Sequence, residues 1–151
     1  NETFPPKTDV PDVTDMPDIR DIANIPGMTS GKKHILVIDD DARMLKVIKL
    51  HLHEKYDVAT AISGKIALKF LETKHTDLIL LDYAMPDENG LVVLEKLRAN
   101  PSTKNIPVIF LTGITDRKKI QEALVMKPQG YLLKPINRKR LLAAIQNILE
   151  A

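Results

Sequence analysis

Residues 33–41 read Lys33-His34-Ile35-Leu36-Val37-Ile38-Asp39-Asp40-Asp41, and the rest of the chain repeats the pattern they set. Four apolar residues follow one another without alternation and stop at three carboxylates. A strand with one wet face alternates apolar and polar residues. An unbroken apolar run of this length predicts a strand covered on both faces, as in a parallel sheet. Runs of the same kind recur at Val58–Ala61, Leu78–Leu81, Val108–Leu111 and Tyr131–Leu133. Helical stripes lie between and after them. Leu45, Ile48 and Leu52 share a face, as do Ile66, Phe70 and Leu71, and then Leu91, Leu94 and Leu97. Ile120, Ala123 and Leu124 form the next stripe, and Leu141, Ile145, Ile148 and Leu149 the last. Ser63, before Gly64, and Asp116 stand where helix N-caps belong. Five βα units predict an α/β domain with a parallel five-stranded sheet.

An open sheet of this kind binds ligands at the carboxyl ends of its strands. Asp39-Asp40-Asp41 follow the first strand and Asp82 follows the third. Thr112-Gly113 follow the fourth, and Lys134-Pro135 the fifth. Singly, such an Asp or Thr is a turn or cap residue and such a Lys a solvated charge. Together they bring carboxylates, a hydroxyl and an ammonium to one rim. Carboxylates crowded in this way raise one another's pKa values unless a cation sits among them. A hard divalent ion with oxygen ligands, Mg²⁺ above all, meets that need. A lysine opposite neutralises an incoming phosphate. A carboxylate between metal and lysine is the arrangement for forming an aspartyl phosphate.

In order and spacing, residues 32–151 resemble the receiver domains of bacterial response regulators. The matching pieces are Ile35-Leu36-Val37-Ile38-Asp39-Asp40, Leu80-Leu81-Asp82 with Met85-Pro86 and Gly90, Val108-Ile109-Phe110-Leu111-Thr112-Gly113, and Gly130-Tyr131-Leu132-Leu133-Lys134-Pro135. The resemblance implies a flavodoxin-like (βα)5 three-layer sandwich with strand order 2-1-3-4-5. It implies that Asp82 takes phosphate from the phosphohistidine of a histidine kinase or phosphotransfer protein. Asp40 and Asp82, with the backbone carbonyl of Ala84, would ligate Mg²⁺, and Asp39 would hold the ion, often through water. Lys134 would contact the phosphoryl oxygens, and Pro135 would follow a cis bond. Thr112 would swing to the phosphate and Tyr131 would turn inward with it. The output surface would be the face of the fourth helix, fifth strand and fifth helix, about 116–149, where downstream effectors bind and homodimers form. It carries Arg117, Lys118, Lys119, Arg138, Lys139 and Arg140. Ala84 cannot orient water with its side chain, and Ile114 is apolar, so a long-lived acyl phosphate is expected; Gly113 leaves the approach to Asp82 open.

Composition agrees with this reading. The 151 residues are 44% hydrophobic and 28% charged, as in ordinary globular proteins. No apolar run reaches the ~20 residues of a membrane span. There is no signal-peptide pattern and no cysteine, which fits a cytoplasmic protein. At 4% aromatic residues without Trp, a base-stacking nucleic-acid platform is not expected. Residues 1–31 read as an acidic, proline-rich leader in which Val10, Val13, Met16, Ile19, Ile22 and Ile25 recur every third position, the period of a polyproline II stripe. Residues 1–30 carry net −4, leaving +6 for the remainder; a solvated linker is the favoured reading, and an arm that docks in cis or steers a partner is the alternative. The leader suggests a receiver that follows something else, as in a hybrid kinase; a free-standing single-domain regulator with an N-terminal arm is the alternative.

Three rival readings compete with this one. A haloacid-dehalogenase-like phosphatase would use Asp39 and Asp41 as its Asp-x-Asp pair, but Ala42-Arg43 replace the expected Gly-Thr and only Glu150 follows Lys134 as an acid. A receiver-shaped module that is never phosphorylated would not need the full acidic set. A flavodoxin would need a phosphate-cradling loop after the first strand. His51 and His53 stand two apart on a helix and do not pair, and His34 and His75 are read as solitary residues at strand starts.

Overall fold

Strand β1 (Lys33–Ile38) is buried from Ile35 to Ile38, as its unbroken apolar run requires. The computed structural model describes residues 31–86, 88–113 and 117–150, without the side chains of residues 117, 119 and 120. The leader and its stripe, Asp116 as a cap, Ile114, and the side chains of Arg117, Lys119 and Ile120 therefore lie outside the described residues.

After β1 come α1 (Ala42–Leu52), β2 (Tyr56–Ala61), α2 (Gly64–Leu71), β3 (Leu78–Asp82), α3 (Gly90–Ala99), β4 (Val108–Thr112), α4 (Arg117–Val125), β5 (Gly130–Leu133) and α5 (Arg138–Leu149). The strands form one parallel sheet in the order β2-β1-β3-β4-β5. Successive side chains of a strand point to opposite faces, and this sorts the apolar residues into two cores. Ile35, Val37, Leu78, Leu80, Ile109 and Leu111 pack with Leu45, Ile48 and Leu52 of α1 and Leu141 and Ile145 of α5. Leu36, Ile38, Ile79, Leu81, Val108 and Phe110 pack with Ala67 of α2, Val93, Leu94 and Leu97 of α3 and Ala123 of α4. The result is the three-layer sandwich expected from the resemblance.

The two edge strands differ from the sequence reading. In β5 only Leu132 packs inward, while Tyr131 and Leu133 are 40% and 51% exposed. In β2 the ends are buried, Asp57, Val58 and Ala59 are half-covered, and Thr60 is exposed. An edge strand has one neighbour, so an apolar run there is not sealed on both sides. Two helical stripes also need correction. Ile66 is exposed, and α2 lays Gly64 and Ala67 on the sheet with Leu68, Phe70 and Leu71 partly buried. Small residues let this short helix approach closely, which turns Ile66 outward. In α4, Leu124 is exposed and Ala123 is buried.

Capping follows local chemistry. Ser63 accepts from the Ile66 amide at the start of α2, as expected, and Asp41, which sequence reading did not single out as a cap, accepts from the Arg43 amide at the start of α1. Asn89 and Asn137 do the same for α3 and α5 through the amides of Val92 and Arg140. Sequence reading missed both, although an Asn directly before a helical stripe is the signal for such a cap.

Candidate phosphoacceptor site

The three aspartates after β1 are alike in sequence and are separated by geometry. The Asp39 amide continues the ladder to the Ala61 carbonyl at 3.1 Å, which holds Asp39 inward and fully buried. Its Oδ1 accepts from the Asp41 amide at 2.9 Å. Asp40 is exposed at the rim. Asp41 is turned to cap α1, so it does not serve as the second acid of an Asp-x-Asp pair. Asp82 is the last residue of β3, paired in register with Leu111 and only 3% exposed. Carboxylate oxygens of Asp39, Asp40 and Asp82 lie within 4.8 Å of one another.

Lys134 reaches this cluster from the end of β5. Its Nζ is 3.2 Å from Asp39 Oδ2 and 3.2 Å from Asp82 Oδ1. The Lys134 amide donates to the Thr112 carbonyl at 2.8 Å, which fixes its backbone to β4. The Lys134–Pro135 peptide is cis, as expected. Thr112 is buried at the end of β4, in register with Leu133. Tyr131 is paired in register with Phe110, and its ring is on the exposed side of the edge strand. The Ala84 amide donates to Asp82 Oδ1 at 3.3 Å.

The electrostatics follow from this packing. Burial raises the Asp82 carboxyl above its ordinary value, and the Asp39 charge adds to the rise; Lys134 and the Ala84 amide oppose it without cancelling it. Burial alone would lower the Lys134 ammonium, but Asp82 and Asp39 outweigh that and raise it. With its proton held this tightly, Asp82 marks a cluster short of positive charge. The donors are hard oxygens, so the set fits Mg²⁺ rather than a soft metal.

Gly90 is the close-packed support of the site. An added Cβ would lie 2.8 Å from the Asp82 carbonyl oxygen, 2.8 Å from the Phe110 ring and 2.9 Å from Tyr83 Cα. The Gly90 amide also donates to the Tyr83 carbonyl at 2.7 Å. Gly90→Ala is expected to cost about 1–3 kcal/mol, the range for overpacking. Denaturant unfolding checks this, and a variant as stable as the parent would refute it.

Two histidines fall differently from their sequence reading. His34 and His75 are not solitary: their rings meet edge to face at 6.3 Å. His75 Nε2 lies 2.8 Å from Asp77, and His34 Nδ1 lies 3.8 Å from Asp57. They sit at the opposite end of β1 from the aspartates. His51 lies within α1 and His53 is its C-cap.

Comparison with known proteins agrees with the geometry. The model of the response regulator receiver domain matches residues 35–146. A probable cyclic di-GMP phosphodiesterase of Vibrio cholerae is 36% identical over 103 residues, 68% of this chain and 23% of that protein. The response regulator PleD of Caulobacter vibrioides is 34% identical over 115 residues, 76% of this chain and 25% of PleD. The chain thus spans about a quarter of the length of these two relatives. The crystal structure of the Vibrio cholerae chemotaxis protein CheY4 superposes with a TM-score of 0.74 at 29% identity, covering 78% of this chain and 99% of that one. The chain belongs to the response regulator receiver domain family, which places it in phosphorelay signalling of the two-component type. Membership sets aside the phosphatase and flavodoxin readings. Among the described residues, no helix is long and apolar enough to cross a membrane.

Proposed function

We propose that Asp82 accepts a phosphoryl group from the phosphohistidine of a histidine kinase or phosphotransfer protein. The observation that carries this reading is the Asp82 carboxylate at the end of the central strand, with the Lys134 ammonium at 3.2 Å and two further carboxylates beside it. A carboxylate oxygen of Asp82 attacks phosphorus, the bond from phosphorus to the donor imidazole breaks, and its electron pair leaves with the imidazole. Lys134 faces the incoming phosphoryl oxygens and balances their charge. Asp39, Asp40 and Asp82, with the Ala84 carbonyl, would hold Mg²⁺, which supplies positive charge for the transferring group. Thr112 would turn to the phosphoryl group, and Tyr131, now on the outer side of β5, would follow it inward; this is a switch biased by one new charge. Residues 32–151 are the receiver unit, which agrees with a compact unit that begins at Lys33, and 1–31 are a leader.

The output face is α4, β5 and α5. Exposed Leu124, Val125, Tyr131 and Leu133 with Lys118, Arg138, Lys139 and Arg140 give it the mixed apolar and basic character of an interaction surface for an effector or a second copy. The chain acts as a cytoplasmic signalling module within a larger regulator or hybrid kinase, and its own chemistry is limited to acquiring and losing the phosphoryl group.

Incubation with acetyl phosphate and Mg²⁺, read by intact mass, tests the proposal: one phosphoryl adduct that requires Mg²⁺ is expected. No adduct would turn the reading to an interaction module that is not phosphorylated. With Ala84 and Ile114 offering no side chain to orient a water, the adduct is expected to persist for minutes or longer after donor removal. Its loss within seconds would overturn that expectation.

A further inference from the structure

Glu88 lies in the loop that follows Asp82, beyond the residues assigned to the site. Its Oε2 is 2.6 Å from Lys96 Nζ in α3. Its Oε1 packs against Gly64, the first residue of α2, at the place where a side chain would start. One carboxylate thus joins the loop to two helices, and its position at the start of α2 suits a negative charge. The same loop is held at its base by Gly90, whose amide bonds the Tyr83 carbonyl, and by buried Tyr83 and Met85. Between these anchors stands Ala84, whose amide bonds Asp82 Oδ1.

We propose that Glu88 is a positioning residue for the phosphoacceptor site: by tying the Asp82 loop to Gly64 of α2 and Lys96 of α3, it fixes the Ala84 backbone against Asp82. This rests on the reading of the aspartate cluster as a Mg²⁺ site. An isolated surface ion pair contributes little to stability and nothing to a distant site. A tie that sets the position of a backbone ligand changes metal affinity instead. Residues that orient the ligands of a metal typically alter its affinity by ~10–100-fold.

The test uses the full chain and Mg²⁺ alone. Calorimetric titration of Glu88→Ala is expected to show about tenfold weaker Mg²⁺ binding, the lower end of the range for such residues. Hydrogen exchange at the Ala84 and Gly90 amides of the metal-free variant should be faster. Glu88→Gln, which can still touch Gly64 and accept from Lys96, should recover most of the affinity. Lys96→Met separates positioning from simple charge. It breaks the tie while leaving the Glu88 charge, so positioning predicts weaker Mg²⁺ binding and charge alone predicts tighter binding. Parental affinity and exchange in both Glu88→Ala and Lys96→Met would overturn the proposal, as would tighter binding in Lys96→Met. Failure of the parent chain to bind Mg²⁺ would overturn the site reading beneath it. If Glu88→Ala does not fold, Lys96→Met decides alone.

Discussion

Asp82→Asn is expected to leave a folded domain that gains no phosphoryl group from acetyl phosphate, with or without Mg²⁺. The carboxamide has nearly the shape of the carboxylate, so its place at the end of β3, next to Leu111, is kept. The nucleophilic oxygen is lost, and with it the acyl phosphate; covalent catalysis has no weaker substitute at that position. Intact mass after incubation reads the result directly. The most direct challenge would be an adduct that survives in the variant, with Asp39 the next residue to test. Asp39 is a poor acceptor as it stands, because it is fully buried and bonded through Oδ1 to the Asp41 amide and through Oδ2 to Lys134.

The largest stability effect is expected from Lys134→Met. Lys134 is the cation between two nearly buried carboxylates, its own side chain being about one-quarter exposed. Removing one partner of a buried ion pair leaves charge without compensation and typically costs 3–5 kcal/mol; partial exposure reduces this to about 2–4 kcal/mol here. The pH dependence has a definite sign. Asp82 is raised in the folded state, so its folded form binds the proton more tightly than the unfolded chain does. The stability it contributes is present at low pH and is lost as pH rises through its folded value. Lys134 is raised from 10.5, so its contribution is complete at neutral pH and is lost only in strong alkali. Without Lys134 the Asp82 carboxyl rises further. The gap between parent and variant should therefore widen as pH rises above the ordinary carboxylate range and narrow when Mg²⁺ is added. Denaturant unfolding at several pH values, with and without Mg²⁺, measures it. A gap that stays constant with pH would mean that Lys134 supports the fold through packing alone.

The central strands were legible because both of their neighbours are strands. The apolar runs of β1, β3 and β4 mean burial on both faces, and the structure buries them so. The run in β5 has the same letters, but it lies at the edge, and sequence does not record how much a flanking helix covers. In α2 the larger Ile66 suggested the inward face, yet the sheet receives Gly64 and Ala67, because closeness of approach favours the small side chains there. For the site, the residue types and their strand-end positions could be read early. The division of labour among Asp39, Asp40 and Asp41 could not, since it depends on which amide each carboxylate meets. In the sequence Gly90 is only part of a motif; its reason, contact with the Asp82 backbone, spans a loop and a helix start. Glu88, and the meeting of His34 with His75 across 41 positions, are long-range facts without a local signal.

The proposed acceptor and the tyrosine that would report its state stand at opposite extremes of mechanical support. Asp82 ends a strand walled in by β1 and β4, with every residue of that strand buried. Tyr131 belongs to a four-residue strand with a single neighbour and alternate side chains in water. Loosening the first would mean opening the middle of the domain, while loosening the second breaks few buried contacts. On the proposed reading, charge placed on the stiff centre would therefore move the soft border, and the core that holds the chemistry would stay still while the outline presented to a partner changed.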